Sequence, residues 1–230
     1  MKAVKSINDI AFLIQARLGS QRCPNKMSRP FADSTLLDIG ISKLVESNMI
    51  PNANIYVSLY EQELKDIASR YPVNIYHRSK ESAMSEGNPI TEIFEWWDII
   101  PHKYVIMINA CCPFLEVETI DNFIQQYMMS QKTGMFAVIE KKNYFWSQDN
   151  VLLTPFKKES LNTKQIEAVK EAAHCLYAGS LQDIGNNIWM GDFSIPDQIE
   201  LVSVEEKQTF DIDYEWQFDL YEKLYRLRGE

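Results

Sequence analysis

Ile10 to Ile14 and Val105 to Ile108 are apolar at every position. Neither alternates with polar residues, so each predicts a strand buried on both faces, over 10–16 and 104–108. Between them the period changes. Leu36, Leu37, Ile39, Ile41, Leu44 and Val45 fit a helix with a broad apolar face over 35–47. Short strands are expected at 54–58 and 73–77, with a charged helix over 61–70 between them. Asn88-Pro89 reads as an N-cap and a first helical residue, opening a helix that runs to about Ile99. A helix over 117–130 and a strand over 135–140 follow. Strand and helix thus alternate through the first 140 residues. That pattern predicts a three-layer α/β/α fold of Rossmann-like type, with a mixed, mostly parallel sheet.

Residues 141–173 interrupt the alternation. Lys141-Lys142-Asn143 and Lys157-Lys158-Glu159 are polar, while Tyr144, Phe145, Trp146 and Phe156 supply aromatics without a clear period. Two readings stand: an inserted β-hairpin arm that packs on a partner subunit, or a solvated excursion with its aromatics folded back. The chain then returns to the sheet at His174–Ala178, Ser180 is placed to cap a short helix, and a last strand is expected over 200–204. A final helix starts at Tyr214 and carries Trp216, Phe218, Leu220, Tyr221, Leu224 and Leu227.

Composition narrows the function. A chain of 230 residues, 46% hydrophobic, can build a full core as one unit over 1–230. Its net charge of −9 argues against a nucleic-acid or anionic-membrane surface. No apolar run approaches the roughly 18 residues of a membrane helix, and the N-terminus has no signal-peptide pattern. A cytoplasmic protein is expected. Cys23, Cys111, Cys112 and Cys175 form no Cys-x-x-Cys pair, and neither a zinc site nor a disulfide framework is expected.

Against that acidic background, the loop after the first strand is basic. Arg17, Arg22, Lys26 and Arg29 surround Gly19-Ser20. Backbone N–H groups in such a turn, ringed by cations at the carboxyl end of a strand, suit a polyphosphate. The plainer alternative is a basic surface turn. Asp211-Ile212-Asp213 is the second constellation. In extended chain the two carboxylates face one space, where Mg²⁺ could be held together with substrate phosphates; Asp213 could instead be the N-cap of the last helix. Arg78 and His77 end the third strand, on the edge that carries the basic loop if the sheet is parallel; there Arg78 could contact a phosphate or base, or be a surface residue. Asn109 ends the strand from Tyr104, where its amide could read a nucleobase edge or form a turn. His174 has apolar neighbours and reads as a satisfied core residue, and His102 as a surface turn.

These blocks resemble a known family. Gln15-Ala16-Arg17-x-Gly19-Ser20-x-Arg22-x-Pro24-x-Lys26 is similar to the Ala-Arg-x-x-Ser-x-x-x-Pro-x-Lys signature of the acylneuraminate cytidylyltransferases. Residues 104–113 resemble their strand ending in Gln-Pro-Thr-Ser-Pro, and Asp211-Ile212-Asp213-Tyr214-Glu215 their Asp-Ile-Asp-Thr-Glu. The resemblance implies a nucleotide-diphospho-sugar transferase-like domain with a dimerising arm, and transfer from CTP to an acidic nonulosonate sugar with Mg²⁺. Carried over by position, Ala16, Arg17, Gly19, Ser20, Arg22 and Lys26 would hold the nucleotide. Arg78 and Asn109 would help to hold the cytidine, and Asp211 and Asp213 the metal; Arg17, Lys26 and Asp211 would carry the chemistry. The sequence departs from the family at Leu59, Asn109, Cys111, Cys112 and Leu115, and again around His174-Cys175-Leu176-Tyr177; by the resemblance those last positions face the sugar pocket, which leaves the sugar open. Two further classes stay open as well: a glycosyltransferase with a nucleotide-sugar donor, and a non-catalytic nucleotide-binding protein.

Overall fold

The computed structural model describes residues 4–84, 89–154 and 162–229. Strand β1 (Ile10–Ala16) leads through a two-strand ribbon, β2 (Pro30–Phe31) and β3 (Ser34–Thr35), into helix α1 (Leu36–Glu46). Then come β4 (Ile55–Leu59), α2 (Gln62–Ala68), β5 (Asn74–His77), α3 (Lys80–Met84) and α4 (Ile90–Ile93). The second half holds β6 (Tyr104–Ile108), α5 (Val117–Met129), β7 (Gly134–Lys141), β8 (Val169–Ser180), α6 (Leu181–Gly185), β9 (Ile199–Ser203) and α7 (Glu215–Arg226).

Seven strands form one sheet in the order β5-β4-β1-β6-β8-β7-β9. β4, β5 and β6 run parallel to β1 or its neighbour, and β9 runs parallel to β7. β8 lies antiparallel to both β6 and β7. The sheet is therefore mixed and mostly parallel, with β8 reversed between two strands that share a direction. β1 sits centrally, and its alternate residues feed two separate cores. Ile10, Phe12 and Ile14 join the helices α1, α2, α5 and α7 on one face. Ala11 and Leu13 join Phe94, Trp96, Leu181 and Ile184 on the other. Burial on both faces explains why β1 shows no polar alternation.

Local chemistry fixes the element ends. Thr35 caps α1 by accepting a bond from the Asp38 N–H, and Ser180 caps α6 through that of Asp183. One expected helix is broken. α4 stops at Phe94, and Glu95–Asp98 forms a 3₁₀ turn. Phe94 and Trp96, two residues apart, both enter the core, and Trp96 Nε1 donates to Gln15 Oε1 at 2.7 Å; an α-helix cannot aim residues i and i+2 at one core. Asn88, read as its N-cap, lies outside the described residues.

The excursion is shorter than expected, because β7 runs to Lys141 and β8 starts at Val169. Within it Trp146 and Leu152 form an isolated antiparallel bridge, and Ser147 N–H donates to Val151 O. Phe156 and Lys157-Lys158-Glu159 lie outside the described residues. Among the described residues, no helix is long and apolar enough to cross a membrane.

Candidate functional site

β1, β4, β5 and β6 all end on the same edge of the sheet, and the loops that leave them meet there. The basic loop is tied down from within. Leu18 N–H donates to Glu61 Oε1 at 2.9 Å, Ser20 N–H to Leu18 O at 2.8 Å and Asn25 N–H to Leu18 O at 3.3 Å. Asn25 adopts a positive φ of 56° to close the turn. At Gly19 an added Cβ would meet nothing within 4 Å, so packing does not demand glycine; the space above it is open.

This loop and the segment before α7 are joined by charge. Lys26 Nζ donates to Ile212 O at 2.5 Å and lies 3.5 Å from Asp213 Oδ1. Arg22 approaches the same Asp213 oxygen at 2.9 Å and lies over the Tyr214 ring. Arg29 clasps Glu215 through both carboxylate oxygens and stacks 3.7 Å from the Phe218 ring centroid, so it anchors α7. The N-cap position of α7 is Tyr214, which leaves the Asp213 carboxylate to the two cations.

Ile212 is fully buried and its N–H donates to Cys111 O at 3.0 Å. Asp211 and Asp213 flank it, and both lie near enough to act on Lys26. Burial disfavours the Lys26 ammonium, but Cys111 and the two carboxylates outweigh it and hold its pKa above the ordinary value. Asp211 is the reverse case. Burial pushes its pKa up against the pull of Lys26, and its Oδ1 is buried with no hydrogen-bond partner. An orphaned carboxylate oxygen is costly and fits a hard cation. Among the described residues, no group of three or more His, Cys, Asp or Glu could hold a metal alone.

A cleft of about 830 Å³ opens above this junction, lined by Ala16, Arg17, Gly19, Ser20, Arg22, Lys26, Arg78 and Asp213 among others. Arg17 donates to Ala83 O at 2.9 Å. Arg78 is buried and fixed to Ser82 by two bonds of 2.8 and 2.7 Å; burial and the neighbouring Arg17 lower its pKa to about 10. Arg17 and Arg78 thus set two guanidiniums side by side on the cleft wall.

Asn109 does not line this cleft, but its side chain bonds Asp211 and opposes the rise in that carboxyl's pKa. Its Nδ2 donates to His174 O at 2.9 Å and its Oδ1 accepts from Cys111 N–H at 2.9 Å, so both ends of the amide join backbone segments. It lines an adjoining cavity together with Gln15, Phe136, Tyr177 and Trp189. The sequence reading missed this cavity, and it placed His174 in the core. His174 is instead exposed, at φ 53°, where β8 bulges against β7, and its Nδ1 pairs with the Tyr177 hydroxyl at 3.0 Å. His77 and His102 do not line the cleft; His102 pairs with Tyr56 and Asn8.

Known proteins resemble this chain in sequence or in fold. The spore coat polysaccharide biosynthesis protein SpsF of Bacillus subtilis (strain 168) is 27% identical over 127 residues, 53% of this chain and 50% of that protein. The match thus spans about half the length of that curated relative. CMP:2-keto-3-deoxy-manno-octonic acid synthetase complexed with CTP superposes with a TM-score of 0.69 at 11% identity, covering 96% of this chain and 99% of the other. The 4-diphosphocytidyl-2C-methyl-D-erythritol synthase from Anaerococcus prevotii DSM 20548 gives a TM-score of 0.66 at 14% identity, covering 95% and 96%. These two structures share the fold. The cytidylyltransferase family model matches residues 11–177, from β1 through the strand that carries Tyr177, and the chain belongs to that family.

Proposed function

We propose that this chain is a Mg²⁺-dependent nucleotidyltransferase that activates an acidic sugar of nonulosonate type, converting CTP and the sugar to a CMP-sugar and pyrophosphate. One observation carries the reading: Arg22 and Lys26 of the β1 loop converge on Asp211–Asp213 beside a cleft at the carboxyl ends of parallel strands. A polyphosphate in that cleft would take over the cations that now neutralise Asp213. The carboxylates would then be released toward a cation.

In the reaction the sugar hydroxyl oxygen attacks the α-phosphorus, the bond to the β-phosphate breaks, pyrophosphate leaves and the hydroxyl proton passes to solvent. Arg17, Arg22, Lys26 and Arg78 would bind the phosphates and oppose the charge that builds on them. The backbone from Ala16 through Gly19 and Ser20 would lie against the nucleotide, where the open space at Gly19 leaves room for it. Asn109 would act by fixing the loop after β6 to the β8 bulge. Asp211 and Asp213 are the residues that would hold Mg²⁺, with phosphate oxygens and water completing its shell. The ion would supply electrophilic stabilisation at the phosphates. The exposed Trp146, Val151 and Leu153 of the 142–168 excursion suit an arm that covers a second copy of the chain, giving a homodimer. The enzyme would work in the cytoplasm, where CTP is made available.

Pyrophosphate release from CTP and Mg²⁺, over a panel of nonulosonic acids and 3-deoxy-octulosonate, tests the proposal. Release with one acid and loss of release in Asp211→Ala are expected. CTP binding without release on any acid would leave a nucleotide-binding protein without transfer activity. Release of a nucleoside diphosphate from a nucleotide sugar, with no pyrophosphate from CTP, would indicate a glycosyltransferase.

A further inference from the structure

The parallel ladder between β1 and β4 ends at Ala16 and Leu59. Two residues further on, in the same register, stand Leu18 and Glu61. Backbone pairing has stopped there, and a side chain takes its place: the Leu18 N–H donates to Glu61 Oε1 at 2.9 Å. Glu61 is the N-cap residue of α2, and its backbone carbonyl accepts from Lys65 N–H at 3.2 Å. Its carboxylate makes no capping bond to that helix, although capping is the ordinary use of an acceptor side chain at this position. It is turned to the basic loop instead.

Leu18 is the hub of that loop. Its carbonyl accepts from both Ser20 N–H and Asn25 N–H. With Glu61 on its N–H, bonds on both sides of its Cα fix the peptide units from Arg17 to Gly19. The Gly19 N–H shares a planar peptide unit with the Leu18 carbonyl and points opposite to it. Among the described residues, the N–H groups of Gly19, Gln21 and Arg22 have no acceptor in the chain, and all three residues line the cleft.

The placement of Glu61 has a cost. Its Oε2 is buried with no hydrogen-bond partner. A carboxylate near enough to act on Arg78 also opposes an anion in the cleft. Its printed bond is the one to Leu18. Resting on the transfer reading above, we infer that Glu61 is a positioning residue: through Leu18 it presets the β1 loop so that the unpaired N–H groups meet the β- and γ-phosphates of the nucleotide.

Calorimetric titration of the whole chain with CTP and with CMP, in EDTA so that nothing turns over, tests this. Glu61→Met keeps the reach of the side chain and removes the acceptor. CTP affinity is expected to fall about tenfold to a hundredfold, and CMP affinity by much less. Glu61→Asp keeps the charge but is one methylene short of Leu18; it should lose CTP in the same sense, and it decides the matter if Glu61→Met does not fold. Glu61→Gln keeps a carbonyl for the Leu18 N–H and drops the charge, so CTP affinity should stay within about threefold of wild type. Gln62→Ala, whose side chain bonds Asp66 on α2, should change neither affinity. Wild-type CTP affinity in Glu61→Met and Glu61→Asp, an equal loss for CTP and CMP, or a loss in Glu61→Gln as large as in Glu61→Met would overturn the inference. No CTP binding by the wild type would overturn it together with the transfer reading. The expected pattern without pyrophosphate release in Mg²⁺ would instead sink the transfer reading alone and leave the role of Glu61 standing.

Discussion

Asp211 concentrates the conflict between stability and function in this chain. Its Oδ1 is buried with no hydrogen-bond partner, and the ammonium that pulls hardest against its burial is already shared with Ile212 O and Asp213. Replacing it with Asn is expected to raise the stability of the metal-free protein at pH 7 by about 1 kcal/mol, since a carboxylate that burial disfavours, with one oxygen unsatisfied, is removed. The same change should cut pyrophosphate release on the order of a hundredfold. Urea unfolding in EDTA and a turnover assay read the two effects separately, and a destabilised Asp211→Asn would mean the carboxylate is satisfied by something unseen here. Lys26→Met is expected to lose both ways. It strips the bond to Ile212 O and removes a phosphate cation, so CTP affinity should fall at least tenfold and the thermal midpoint should drop.

Helix α1 shows how an element far from any ligand sets the site. A Cβ on Gly40 would lie 2.7 Å from the Ala110 Cβ and 3.3 Å from Ile14 Cδ1. Alanine's better helix propensity, about 1 kcal/mol, is therefore set against overpacking of about 1–3 kcal/mol. Gly40→Ala is expected to destabilise on balance, and its strain falls on the loop whose Cys111 carbonyl receives Ile212 N–H. Turnover should fall with stability, whereas Gly19→Ala, with open space above it, should leave stability within about 0.5 kcal/mol. The next turn of the helix carries Lys43, whose buried amine donates to Cys112 O and Pro113 O. Burial lowers its pKa from 10.5 to about 7. Between those values the unfolded chain keeps a proton that the folded chain has released, so stability from this group rises with pH. The stability difference between wild type and Lys43→Met should therefore shift toward wild type from pH 7 to pH 9, as measured by urea midpoints.

These elements also mark how far the sequence could be read. β1 and β6 were legible because strands buried on both faces leave unbroken apolar runs. α1 and α7 were legible because one-sided burial leaves a helical period. The break at Phe94 was not, since it arises from where Trp96 meets Gln15 across the sheet. The Asp211–Asp213 pair and the basic loop could each be found locally, but nothing local told that Arg29, one of the four cations of that loop, is taken by Glu215, 186 residues away. For Asn109 the turn was legible, in the bond its Oδ1 accepts from Cys111 N–H, but its second partner comes from β8 and only β8 reveals the cavity beside it. His174 needed the bulge, which no period announces.

The whole molecule is a sheet with its chemistry gathered on one edge and one strand reversed. Because β8 runs against its neighbours, the excursion between β7 and β8 leaves and returns on the edge that holds the cleft. An arm there can cover a partner without crossing the helical faces. If the proposed dimer forms through it, Trp146→Ser should lower the sedimenting mass to that of one chain while CTP binding persists; an unchanged mass would remove the arm from the interface.

The clasp between the β1 loop and the segment before α7 has a temporal meaning. Lys26, Arg22 and Arg29 all wait for partners between Ile212 and Phe218, and Phe31 waits for Phe218 and Tyr225. During synthesis, where the N-terminal part emerges first, β1, β4 and β6 can pair long before these residues leave the ribosome. A nascent chain would therefore own its sheet before it owned its site. Nucleotide capture would begin as translation of the last helix ends.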